Sequence, residues 1–191
     1  MAGSAPDAPA GPPAILPQEF AALIREVPDF PRPGVLFRDV APLLADAPAF
    51  AGCVEALAGP WVGRGVQVIC GIEARGFIFG AALAQRLHAG FVPVRKPGKL
   101  PPPVLGQDYQ LEYGRDRLEV QAGAIRPGQR ALLVDDVLAT GGTLAAARAL
   151  IHALGCELVG ASVVIELSAL GGRERWLREP LPAPLRSLLT C

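Results

Sequence analysis

The chain has 191 residues, 51% apolar and 19% charged, with 18 Lys plus Arg balancing 18 Asp plus Glu. That length suits one domain with a sizeable core, and the composition excludes a charge-driven disordered chain. Zero net charge gives no global electrostatic grip on nucleic acid or an anionic membrane. Cys53, Cys70, Cys156 and Cys191 show no CxxC spacing, and no nearby histidine completes a zinc knuckle. Cys53 and Cys70 sit among apolar neighbours and read as buried reduced thiols. No apolar run reaches the roughly 18 residues of a membrane span. The N-terminus lacks the basic and apolar regions of a secretory signal. The expectation is a soluble cytoplasmic protein.

Residues 1–13 are mostly Ala, Pro and Gly and are expected to form a mobile tail. Residues 14–191 are expected to form a single domain. A helix is predicted from Pro17 to Glu26, with Phe20, Leu23 and Ile24 on one face. The stretch from about Pro28 to Leu44 is rich in turns. Asp46 can cap a second helix that runs to about Ala58. Val66 to Cys70 reads as an apolar strand, Gly76 to His88 as a helix, and Phe91 to Val94 as a strand. The Pro/Gly-rich stretch Pro97 to Gln107 reads as a loop. Tyr109 to Tyr113 and Leu118 to Gln121 alternate enough to pair as antiparallel strands around Gly114. Leu132 to Val134 is a third apolar strand. Leu144, Ala147, Ile151 and Leu154 mark a helical face, and Glu157 to Leu167 a long strand. The run from Arg173 to Arg186 reads as solvated surface. Strands alternating with helices imply an α/β fold with a mainly parallel, twisted sheet flanked by helices. Such sheets bind ligands beyond the C-terminal ends of their strands.

The strongest chemical signal runs from Val134 to Thr143. An apolar strand delivers Asp135 and Asp136, and Ala139-Thr140-Gly141-Gly142-Thr143 then opens a helix. Glycines let backbone approach an anion, and the N–H groups of a turn and helix start can cradle phosphate. Thr140 and Thr143 add hydroxyl donors. The two carboxylates suit ribose hydroxyls or indirect support of Mg²⁺. A sugar phosphate would satisfy both halves. The segment is neither a Walker A loop nor a Gly-x-Gly-x-x-Gly dinucleotide signature.

This segment resembles the phosphoribosyl pyrophosphate (PRPP) signature of the type I phosphoribosyltransferases. Pro28-Asp29-Phe30-Pro31 with Gly34 to Asp39 looks like the small N-terminal hood (about 28–44) of the members that act on adenine. Gly71 to Phe77 looks like their pyrophosphate loop. Arg95 to Pro101 and Leu111 to Gly114 bracket their mobile loop (about 97–111), and Val164 to Arg173 also fits. The resemblance covers roughly residues 18–175.

The resemblance implies transfer of phosphoribose from PRPP to adenine, giving AMP and pyrophosphate with Mg²⁺, in a homodimer. Arg75, Arg95, Lys96 and Lys99 would surround the pyrophosphate, with Asp135, Asp136 and residues 139–143 on the ribose phosphate. Tyr113 could donate to the leaving group. Glu112 would be catalytic, assisting the base or the cationic sugar. Leu36, Phe37 and Arg38 would read adenine, with Leu138 and Leu167 on its other side. Arg38 has a second reading as the ion-pair partner of Asp39. The resemblance also implies a cis peptide at Glu73–Ala74, and makes Arg95 the candidate to reach a neighbouring subunit. Pro101-Pro102-Pro103 is stiffer than the family's usual loop. Relatives that take 6-oxopurines place a lysine and an aromatic near the last strand, where this chain has Val163-Val164-Ile165-Glu166-Leu167. A PRPP-sensing regulator would add a DNA-binding domain, for which the residues before the core are too few.

Overall fold

The computed structural model describes residues 17–110, 114–180 and 183–191. Contacts divide the chain into two units, residues 1–53 and 54–191. The tail expected over residues 1–13 lies outside the described residues.

In the first unit, helix α1 (Pro17–Ala22) leads into strands β1 (Arg25–Pro28) and β2 (Leu36–Asp39) and helix α2 (Ala41–Ala45). The predicted first helix therefore stops four residues early. Pro28 disfavours helical backbone at the preceding Val27. Pairing with β2 then takes up the backbone, in the register Arg25↔Asp39, Glu26↔Arg38, Val27↔Phe37 and Pro28↔Leu36. Arg25 forms an ion pair with Asp39 at 2.5 Å, and Arg38 with Glu26. This corrects the expected Arg38–Asp39 pair. Neighbours in one strand point to opposite faces, so each meets a cross-strand partner instead. Helix α3 (Ala47–Ala58) begins as expected, with the Ala49 N–H donating to Asp46 Oδ1 at 2.9 Å.

The second unit holds β3 (Val68–Ile72), α4 (Gly76–Leu87), β4 (Gly90–Val94), β5 (Val104–Gln110) and β6 (Arg115–Gln121). It continues with β7 (Arg130–Leu138), α5 (Gly142–Ala153), β8 (Glu157–Glu166), α6 (Gly172–Leu177) and β9 (Leu185–Thr190). Five strands form one sheet in the order β4-β3-β7-β8-β9, and every neighbouring pair is parallel. Ile69, Cys70 and Ile72 of β3 and Leu132, Leu133 and Val134 of β7 are fully buried. That is why these strands read as continuous apolar runs. Burial pushes the Cys53 thiol up to about 12 and raises that of Cys70.

Strands β5 and β6 form an antiparallel hairpin from Val104↔Gln121 to Gln110↔Arg115. The loop expected over Pro97 to Gln107 thus gives way to strand at Val104, because Leu105, Gln107 and Tyr109 alternate against β6. The hairpin is tied to the sheet where Arg95 and Glu119 exchange backbone hydrogen bonds at 2.8 and 2.7 Å.

The C-terminal run is only partly solvated surface: Glu174, Arg175, Arg178 and Arg186 are exposed, but Trp176, Ala183 and Leu185 are buried. Trp176 is buried and its Nε1 donates to Ala183 O at 2.7 Å. Strand β9 extends the sheet beside β8 with Leu185 and Leu189 buried. Its segment Leu-Arg-Ser-Leu-Leu-Thr carries no valine or isoleucine, so it gave little strand signal. Among the described residues no helix is long and apolar enough to cross a membrane.

Candidate active site

A parallel sheet brings the C-terminal ends of its strands to one edge. In the second unit, β3 ends into Glu73–Arg75, β4 into Arg95–Lys99, β7 into Ala139–Thr143 and β8 into Leu167. Most of the chemistry-bearing residues singled out from the sequence after residue 53 leave the sheet at this edge.

Strand β7 runs on through Asp135 and Asp136 to Leu138 before the turn. Gly141 takes a left-handed backbone (φ 76°), and α5 starts at Gly142. Amides at a helix start have no intrahelical partner, so this turn offers a ring of donors. Asp135, Leu138, Ala139, Thr140, Gly141, Gly142 and Thr143 line one cleft. Gly172 holds the turn from behind: a Cβ there would lie 2.2 Å from Ala139 O. This role of Gly172 is visible only in the packing.

Asp136 does not line this cleft. It is buried and forms an ion pair with Arg75. Burial, and then the neighbouring Asp136 carboxylate, push the Asp135 carboxyl above the usual range. The pyrophosphate-type loop closes onto this pair. A Cβ on Gly76 would lie 2.8 Å from Val134 O and 3.0 Å from Asp135 Oδ1. The Glu73–Ala74 peptide is cis, as expected.

The basic segment is drawn onto carboxylates. Arg95 Nε donates to Glu73 Oε2 at 3.2 Å and the Lys96 N–H to the same oxygen at 3.0 Å. Lys99 Nζ donates to Glu73 Oε1 at 2.5 Å. Arg95 Nη1 donates to Lys99 O at 3.1 Å, and its guanidinium lies 5.6 Å from the Phe77 ring centroid. Burial disfavours charge on Glu73, but Lys99, the Lys96 amide and Arg95 outweigh it and hold its carboxyl below the usual range. Lys96 Nζ pairs with Asp116 and donates to the Tyr109 hydroxyl at 2.9 Å. That hydroxyl lies 3.5 Å from Thr143 Oγ1, so it links the hairpin, the basic segment and the Gly-rich turn. Tyr109 and Asp116 had no site role in the sequence, and Glu73 entered only through its peptide bond to Ala74. Their partners lie between 7 and 34 positions away, beyond any local pattern.

Leu36, Phe37 and Arg38 lie on β2 of the first unit, with Leu36 exposed and the Phe37 ring edge-on to Phe30 at 5.1 Å. In the second unit the Leu167 N–H donates to Leu138 O at 2.9 Å, so these two residues adjoin. Glu112 and Tyr113 lie outside the described residues. Among the described residues, no group of three or more His, Cys, Asp or Glu could hold a metal ion.

An acidic strand end, a Gly-rich turn opening a helix and a basic loop, all at one edge of a parallel sheet, define an enzyme class that handles a phosphorylated, pyrophosphate-bearing sugar. Residues 47–179 match the family described as the phosphoribosyl transferase domain. Adenine phosphoribosyltransferase of Xanthomonas campestris pv. campestris is 54% identical over 170 residues, 88% of this chain and 91% of the relative. The crystal structure of adenine phosphoribosyltransferase from Rhodothermus marinus is similar with a TM-score of 0.87 and 45% identity, covering 92% of this chain and 98% of the other. The Saccharomyces cerevisiae enzyme, complexed with adenine and an imino-altritol bisphosphate, gives a TM-score of 0.84 at 38% identity, covering 91% and 98%. This chain belongs to the adenine phosphoribosyltransferase family. The expected fold and the transfer of phosphoribose from PRPP to adenine are borne out.

Proposed function

We propose the following residue-level account of that transfer. Asp135 accepts hydrogen bonds from the ribose hydroxyls, and Asp136 acts from behind by holding Arg75. The amides of Ala139, Thr140, Gly141, Gly142 and Thr143, with the threonine hydroxyls, hold the 5-phosphate. Arg75, Arg95, Lys96 and Lys99 take the pyrophosphate. The observation that carries this account is the cleft in which Asp135 and the turn 139–143 share one wall.

In the reaction a ring nitrogen of adenine bonds to the anomeric carbon as the bond to pyrophosphate breaks, and the imidazole-ring N–H proton of the base passes to a carboxylate or water. The bond electrons leave on the pyrophosphate oxygen, and cations placed there stabilise the charge as it develops. Glu112 assists the base or the cationic sugar, and Tyr113 donates to the leaving group. The segment of about 97–111, of which residues 104–110 form strand β5, acts as a lid and keeps water from the sugar cation. Leu36, Phe37 and Arg38 bind adenine, with Leu138 and Leu167 packing on it.

Mg²⁺ fits this donor set as an ion carried by the substrate. It characteristically keeps several waters and takes one or two carboxylates beside phosphate oxygens, and Asp135, which lines the cleft, would supply one. When bound it neutralises phosphate charge. A homodimer rests on the family resemblance, and sedimentation of the purified chain tests it. A cytoplasmic location is supported by the four free cysteines and by the charge of PRPP, which does not cross membranes unaided.

The deciding experiment supplies PRPP and Mg²⁺ with adenine, hypoxanthine or guanine and separates the products. AMP from adenine alone is expected. Product from a 6-oxopurine would overturn the adenine assignment of residues 36–38. No nucleotide from any base, with PRPP still bound, would make the chain a PRPP sensor.

A further inference from the structure

We propose that Glu73 is an internal counter-ion that competes with pyrophosphate for Arg95, Lys99 and the Lys96 amide. The inference rests on the reading that these cations bind pyrophosphate.

Both oxygens of Glu73 are engaged, one by Arg95 Nε and the Lys96 N–H and the other by Lys99 Nζ. Its side chain is only 9% exposed, whereas those of Arg95 and Lys99 are 31% and 48% exposed. The cations thus present their free faces outward, and the carboxylate fills the space behind. Glu73 cannot follow the cations if they move. Its N–H donates to Val94 O at 2.9 Å, which fixes it at the junction of β3 and β4. The other two cations of the cluster have their own acids, Asp136 for Arg75 and Asp116 for Lys96. Arg95 and Lys99 share one carboxylate between them.

An arriving pyrophosphate carries more negative charge than one carboxylate and needs the same N–H donors. It therefore competes with Glu73 for the Lys96 amide and for the charge of Arg95 and Lys99. The carboxylate is then left beside a like charge with fewer donors, which opposes binding and favours release. A scaffold role predicts the opposite sign. If Glu73 only held Arg95 and Lys99 in place, its removal would loosen them and weaken pyrophosphate binding.

Titration calorimetry on the full chain with Mg²⁺ and inorganic pyrophosphate, and separately with PRPP, tests the sign. Glu73→Gln is expected to bind pyrophosphate about five- to tenfold more tightly, the scale of one partly screened like-charge contact. Its KM for PRPP should fall, with kcat reduced as product leaves more slowly. Glu73→Asp keeps the charge but shortens its reach, so it should tighten binding about two- to threefold. It serves as the readout if the Gln variant does not fold. Unchanged or weaker pyrophosphate affinity in a folded variant, while the wild type binds both ligands, would overturn the counter-ion role alone. A wild-type chain that binds neither pyrophosphate nor PRPP would overturn the underlying functional reading and the counter-ion role with it.

Discussion

Asp135 and Asp136 are adjacent in β7 yet serve two different surroundings. Asp135 lines the cleft under the Gly-rich turn, and Asp136 is buried against Arg75. The two carboxylates still interact, and Asp136 helps to push the Asp135 carboxyl above the usual range. One carboxylate is left available to a ligand while the other holds a cation in the neighbouring loop.

Asp135→Asn should therefore weaken PRPP use more than turnover. Loss of a charged hydrogen-bond acceptor predicts a KM for PRPP roughly 10- to 100-fold higher, with a smaller change in kcat. The same variant should melt at a higher temperature without ligand near neutral pH. Burial and Asp136 raise the folded-state pKa of Asp135, so its ionised form costs stability as pH rises through that pKa. The neutral amide removes the cost. Initial rates across PRPP concentrations and a calorimetric scan check both halves.

Gly172→Ala tests the support of the turn. Its Cβ would meet the Ala139 carbonyl at 2.2 Å, and backbone cannot swing aside as a side chain can. Overpacking of this kind costs about 1–3 kcal/mol. A lower melting temperature and weaker PRPP binding are expected, although residue 172 carries no side chain that could touch a ligand. Equal PRPP affinity in the variant would remove the turn from the phosphate site.

Glu112→Ala should leave PRPP binding near wild type and lower turnover by about 100-fold, in the range of a positioned acid or base. Rates under saturating PRPP and adenine, beside calorimetric PRPP binding, check this. Wild-type turnover would end the catalytic assignment.

Arg173 and Glu166 govern acid stability. Arg173 Nε donates to Glu166 Oε1 at 2.7 Å, Ser187 Oγ to Oε2 at 2.8 Å, and Arg173 Nη1 to Leu185 O at 3.1 Å. The bond from Arg173 outweighs burial and holds the Glu166 carboxyl below the usual range. A lowered folded-state pKa adds stability that is present above the unfolded value, about 4.3, and lost as pH falls through the folded value. Urea unfolding should show a smaller loss below about pH 4 for Glu166→Gln than for wild type. Arg173→Ala should cost about 2 kcal/mol at neutral pH, because it leaves a buried acceptor without its main donor.

Much of the site was legible in the sequence wherever chemistry is written locally. The turn 139–143 declares itself through two glycines and two threonines after an apolar strand, and Asp46 declares a helix start. Other features were hidden because their cause lies elsewhere in the chain. The first helix was overextended because Arg25–Pro28 becomes a strand only by pairing with β2. The hairpin starts at Val104 because β6 supplies its partner. Strand β9 needs β8 beside it to exist at all.

The sequence by itself determined the alternation of strands and helices from β3 to β8, the parallel sheet and the phosphate-cradling turn, since periodicity and glycine placement act over a few residues. Tertiary structure alone decided which acid meets which base. Asp136 meets Arg75, Glu73 meets Arg95 and Lys99, and Glu166 meets Arg173. Partners 61, 22 and 26 positions apart, as in the first three of these contacts, are joined only when the ends of parallel strands come to one edge. A carboxylate's neighbours, and hence its charge and its use, are set by that meeting and not by the residues next to it in the chain.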